Sequence, residues 1–154
     1  MGDKQANQVQ KAISPPGPVV LAINICDTVI RDEITHKVSL IGLFSTITAA
    51  GFPCTHPRMH IYIALTNGHK EQSLEVRLVS ASDQKPIMEM VGTILFETPL
   101  QVIELNIQWN QVVFPGEGEY FVEVLCDGNA APIGTRKFNV LSNVRTPPTD
   151  GSEA

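Results

Sequence analysis

From Ile103 to Asn110 apolar and polar side chains take strict turns. Ile103, Leu105, Ile107 and Trp109 fall on one parity; Glu104, Asn106, Gln108 and Asn110 fall on the other. Successive side chains of an extended chain point to opposite faces, so the spacing predicts a half-buried strand over about residues 100–114 with one wet side. The same period of two governs residues 58–66, where Met59, Ile61, Ile63 and Leu65 alternate with His60, Tyr62, Ala64 and Thr66. It recurs over 73–80 and 119–126. Residues 38–47 are apolar on both parities, which predicts a central strand covered twice. Segments 19–25, 87–96 and 134–141 bring the set to about eight strands. No apolar pattern of helical period runs for a dozen residues.

The breaks between these runs are turn chemistry: Asn67-Gly68, Ser82 to Pro86, Thr98-Pro99, Pro115 to Gly118 and Asp127-Gly128-Asn129. Asn-Gly and Asp-Gly supply the positive φ angles of tight hairpins. Short strands at regular spacing predict an all-β fold, an antiparallel β-sandwich that is immunoglobulin-like in the loose sense, with a closed barrel as the alternative. One stretch is more specific. Gly116-Glu117-Gly118-Glu119-Tyr120 leads into an alternating strand and matches a tyrosine corner, in which the Tyr120 hydroxyl bonds back to the backbone of the preceding turn.

At 154 residues the chain is the size of one domain. Ser14-Pro15-Pro16-Gly17-Pro18 blocks both helix and ladder. Residues 1–18 therefore read as a disordered leader, 19–143 as the domain and 144–154 as a disordered tail. The net charge is −5 and no window concentrates Lys or Arg, so a phosphate-backbone binder is not expected. Neither is a membrane protein: the first apolar run, Val19 to Ile25, is short for a signal core, and none approaches a spanning helix. The three cysteines, Cys26, Cys54 and Cys126, are an odd and sparse set, which points to reduced thiols and a cytoplasmic protein.

Three constellations could carry chemistry. Cys54-x-His56-x-x-x-His60 offers a soft ligand and two imidazoles of the kind zinc accepts, but no second pair completes a tetrahedron. His56 reads as part of a Pro-bounded loop, Phe52 to Pro57, and His60 as part of the strand beyond it. A Cys54–His nucleophile pair lacks an orienting third group, and no Gly-x-Ser-x-Gly elbow is present. The carboxylates Asp27, Asp32, Glu33 and Asp127 could bind calcium at loop ends, yet turn duties account for them. The glycines form no phosphate cradle.

Ile25-Cys26-Asp27-Thr28-Val29-Ile30, Lys37 to Phe44 (Lys-Val-Ser-Leu-Ile-Gly-Leu-Phe), Phe52-Pro53, His56-Pro57 and the Phe-Pro-x-x-Gly-x-Tyr step at Phe114 to Tyr120 resemble a bacterial family of small standalone proteins of unknown function. The likeness covers about residues 23–141. It implies no activity, cofactor or site residue. In physical terms its motifs are folding signals: Gly42 inside an apolar strand marks a bulge or a close approach, Asp27 ends a strand, and Gly118 and Tyr120 make the corner. The expectation is thus a non-catalytic binding or structural module without a cofactor. Its expected partner is another protein, with self-association open and neither nucleic acid nor membrane involved. The alternative is a small-ligand or zinc-binding protein using the Cys54–His60 segment.

Overall fold

Among the described residues nine strands carry the alternation into three dimensions. The computed structural model describes residues 17–144, and the structure is all-β. The strands are β1 (Val19–Arg31), β2 (Val38–Leu43), β3 (Thr46–Ala49), β4 (Cys54–Thr66), β5 (Lys70–Ser80), β6 (Pro86–Phe96), β7 (Ile103–Phe114), β8 (Gly118–Cys126) and β9 (Gly134–Ser142). Among the described residues no helix is long and apolar enough to cross a membrane. The expected leader and tail lie almost wholly outside the described residues.

The strands form two sheets, ordered β2-β1-β4-β7 and β3-β9-β8-β5-β6. Their apolar parities meet in one core. Ile25, Met59, Ile61 and Ile63 come from the first sheet; Leu74, Val76, Val122 and Phe138 come from the second. Phe114 stands edge-on to both Tyr120 and Phe138, with ring centroids 5.0 and 5.8 Å away. Such contacts add about 0.5–1.5 kcal/mol each beyond the area they bury. The Tyr120 hydroxyl donates to the carbonyl oxygen of Gly116 at 2.6 Å, as the corner motif requires.

Four expectations are corrected: the central strand, the strand count, the antiparallel pairing and the loop at His56. Residues 38–47 are not one central strand. The chain leaves the first sheet after Leu43 and joins the second as β3, so both pieces lie at sheet edges, with Ile41 and Leu43 exposed. Within β2 the second apolar parity, Ile41 and Leu43, is left exposed rather than covered, and the change of sheet raises the strand count from eight to nine. β3 also runs parallel to β9, so the second sheet is not wholly antiparallel. Nor is His56 in a loop: β4 starts at Cys54 and pairs with β7 through Cys54–Phe114, Thr55–Val113 and His56–Val112.

β1 is strongly curled. Its first half pairs with β4, ending at Cys26–His60; from Thr28 it pairs with β2 alone. Asn24 is the register partner of Tyr62. Seven more residues of straight strand would carry Arg31 roughly 23 Å away. Yet Arg31 lies 3.8 Å from Glu104, whose carboxylate also accepts a hydrogen bond from Tyr62. The β1–β2 hairpin therefore folds back over the outer face of β4 and β7. This cover explains why Cys26 and His60, on the face opposite the core, are 0% and 7% exposed.

Candidate functional site

The polar parities of β4 and β7 form a single face. β4 pairs with β7 so that His60 stands beside Gln108, Tyr62 beside Asn106 and Arg58 beside Asn110. His60 Nδ1 donates to Asn106 Oδ1 at 2.9 Å, and Gln108 Nε2 donates to Asn110 Oδ1 at 3.0 Å. The Tyr62 hydroxyl is pushed up to about 12, first by burial under the hairpin and then by its hydrogen bond to Glu104. At the end of this face nearest the curl, Asp27, His56, Pro57, Arg58, Gln108 and Asn110 line an open groove of about 530 Å³.

Asp27 does not end a strand as expected but lies inside β1, and it owes its place there to the β1–β2 register. The pairs Cys26–Leu43 and Thr28–Ile41 set Asp27 opposite Gly42. Gly42 has φ 71°, and its missing side chain leaves the space that the Asp27 carboxylate occupies. The close approach expected at Gly42 is thus to Asp27 itself. Gly118, at φ 150°, opens β8 ahead of Tyr120.

The structure separates the three candidate zinc ligands. The core residues of β4 are the odd-numbered ones from Met59 to Leu65, and on β7 Ile107 and Trp109 match them. Below the step at Pro57, the buried residues of β7 are Val112 and Phe114, the register partners of His56 and Cys54. Pro57 has no N–H to give the ladder, and Gln111, between Asn110 and Val112, turns to φ 52°. Both strands change faces there together. Cys54 and His56 consequently follow the core side, with the His56 ring 5.6 Å from Phe44, while His60 lies on the outer face. Among the described residues no three His, Cys, Asp or Glu side chains are placed to hold a metal. Cys54 and His56 share only a smaller groove of about 250 Å³ with residues 47–50.

The remaining acids take local roles. Asp32 accepts from the amides of Ile34 and Thr35 and from the Thr35 hydroxyl, which caps the hairpin turn and holds its carboxyl below the usual range. Asp127 accepts from Gln72 Nε2 at 3.1 Å and Ser73 N at 3.0 Å, and Gln72 chiefly holds its carboxyl down. The Cys126 thiol beside it is pushed up to about 11, first by burial and then by Asp127. The three cysteines are free, with Cys26 and Cys126 buried.

The model of a family of unknown function, DUF6941, matches residues 21–141, in agreement with the likeness seen in the motifs. No curated protein matches the chain. Among solved structures it is similar to the Pseudomonas fluorescens alkylpurine DNA glycosylase AlkC bound to DNA containing an abasic site analog. That similarity has a TM-score of 0.49 and 9% identity, and it covers 88% of this chain and 33% of that one, so this chain spans a third of that protein's length. The expected protein partner and the exclusion of nucleic acid are both withdrawn: the matched protein is a DNA-bound one, and a likeness at this TM-score argues for no partner of this chain. Neither its DNA nor its activity is carried over to this chain.

Proposed function

This chain belongs to the family of unknown function DUF6941, and from that premise we propose that it is a non-catalytic module that binds a small polyhydroxylated solute in the groove beside Asp27. The observation that carries the reading is the convergence of complementary hydrogen-bonding groups on that groove. Asp27 offers acceptors and Arg58 offers donors. The Gln108–Asn110 bond leaves the Gln108 carbonyl and the Asn110 N–H groups unspent on each other. Adjacent hydroxyls of a polyol both donate and accept, and such a mixed rim suits them. The groove volume falls within the roughly 300–1,000 Å³ of small-molecule sites.

The reading keeps the ligand near the Cys54–His60 segment, because His56, Pro57 and Arg58 line the groove. It drops the metal, because the segment's own ligands point to different faces. We read the scaffold as a β-sandwich of loosely immunoglobulin-like build. The shared core of two sheets and the Tyr120–Gly116 corner support that reading. Free thiols support a reducing compartment, and so a cytoplasmic bacterial protein.

Isothermal titration calorimetry with pentoses, hexoses, disaccharides and linear polyols tests the proposal. Saturable binding of at least one of them, weakened tenfold or more by Asp27→Asn or Asn110→Ala, is expected. No binding across the set, or binding untouched by both substitutions, overturns it.

A further inference from the structure

A second groove, which shares no lining residue with the one beside Asp27, lies along the seam where the sheets approach. From Val19 to Asn24, β1 pairs with β4 on one edge only, since β2 joins at Cys26. From Gly134 to Phe138, β9 pairs with β8 only, since β3 joins at Asn139. Among the described residues neither edge segment has a second strand. Gly134 lets the two edges come together, because a Cβ there would meet Val20 Cγ2 at 2.9 Å. Between them runs a groove of about 450 Å³, lined by Val20, Leu21, Ile23, Ile133, Thr135 and Arg136 among others.

Among the described residues Arg136 is the only charged one lining this groove. It shares the inward parity of Phe138 and Val140, and its Nε is buried with no hydrogen-bond partner among the described residues. A buried donor on a charged group left unsatisfied is costly, and an arginine fork satisfies itself best against a planar oxyanion. The chain carries a net charge of −5, yet among the described residues no carboxylate lines the groove to answer Arg136. The walls beside it are aliphatic: Val20, Ile23 and Ile133.

We propose that this seam binds an aliphatic carboxylate, with the head group on the Arg136 guanidinium and the hydrocarbon tail along Val20, Ile23 and Ile133. Charge selects the head, and the apolar walls select the tail. The site is independent of the polyol groove, so either can fail without the other.

The test is an NMR titration of the full chain with octanoate, following the Arg136 Nε–Hε resonance and the methyl groups of Val20 and Ile133. A saturable shift at all three is expected. Arg136→Gln should weaken binding at least tenfold. Leu21 is 55% exposed, so Leu21→Glu adds a repelling carboxylate at the rim without loading the core, and it should also weaken binding at least tenfold. If Arg136→Gln fails to fold, Leu21→Glu decides. Three results would overturn the proposal: no shift at Arg136, octanol binding as tightly as octanoate, or inorganic phosphate binding as tightly as octanoate.

Discussion

The Asp27 carboxylate fills the space where Gly42 has no side chain, and Gly42 sits at φ 71° to receive it. This pair lies where β1 and β2 begin to curl over β4 and β7. Gly42→Ala should cost roughly 1–2 kcal/mol from the left-handed backbone alone, and more from the collision with Asp27. In an Asp27→Ala background the collision with the carboxylate disappears, leaving the backbone cost and a tight 3.1 Å contact with the retained Cβ. Urea denaturation of the two single variants and the double variant reads this coupling directly; simple additivity would mean that the two residues do not press on each other.

Tyr120→Phe removes the hydroxyl that bonds to Gly116 while keeping the ring against Phe114 and Phe138. The expected loss is about 1 kcal/mol. It should appear as a lower denaturation midpoint at unchanged slope. An unchanged midpoint would leave the corner without a role in stability.

Asp127 titrates below its ordinary value of 3.8 in the folded chain, chiefly because Gln72 donates to it. A depressed carboxyl contributes stability that is complete above the unfolded value. That contribution is lost as pH falls below 3.8 and through the folded value. Asp127→Asn should therefore flatten part of the acid limb of a stability profile below about pH 4. Asp32, held down by its turn, supplies another part and should leave a residual slope.

The cysteines should react at different rates. Cys126, pushed up to about 11 and buried, is about one part in a thousand thiolate at pH 8. Cys26 is buried and likewise raised, first by desolvation. Cys54 is part-exposed. Iodoacetamide labelling of the native chain followed by peptide mass spectrometry should find Cys54 modified well before the other two. Equal rates would mean that the strands bearing Cys26 and Cys126 open readily.

Much of the fold was legible because period two survives in nearly every strand. Ile103 to Trp109 and Met59 to Leu65 lie on the core side as their spacing demands, and the Gly-x-Tyr step located the corner hydroxyl. Residues 38–47 misled because an apolar run does not say whether one sheet or two receives it. The site was half visible. Asn106, Gln108 and Asn110 read as one polar face and His60 and Tyr62 as another, but the register that merges them is a long-range property. The split between His56 and His60 was equally hidden, since it depends on Pro57 and on Gln111 in a neighbouring strand. Arg136 did leave a local signal: a charged residue on the parity of Phe138 and Val140.

The central claim is that the groove beside Asp27 is a binding site, and amide and side-chain NMR shifts on adding a saccharide or polyol that binds test it most directly. Perturbations confined to Asp27, His56, Arg58, Gln108 and Asn110, saturating together with one affinity, are predicted. A bound polyol that shifts resonances elsewhere and leaves those five unmoved would contradict it.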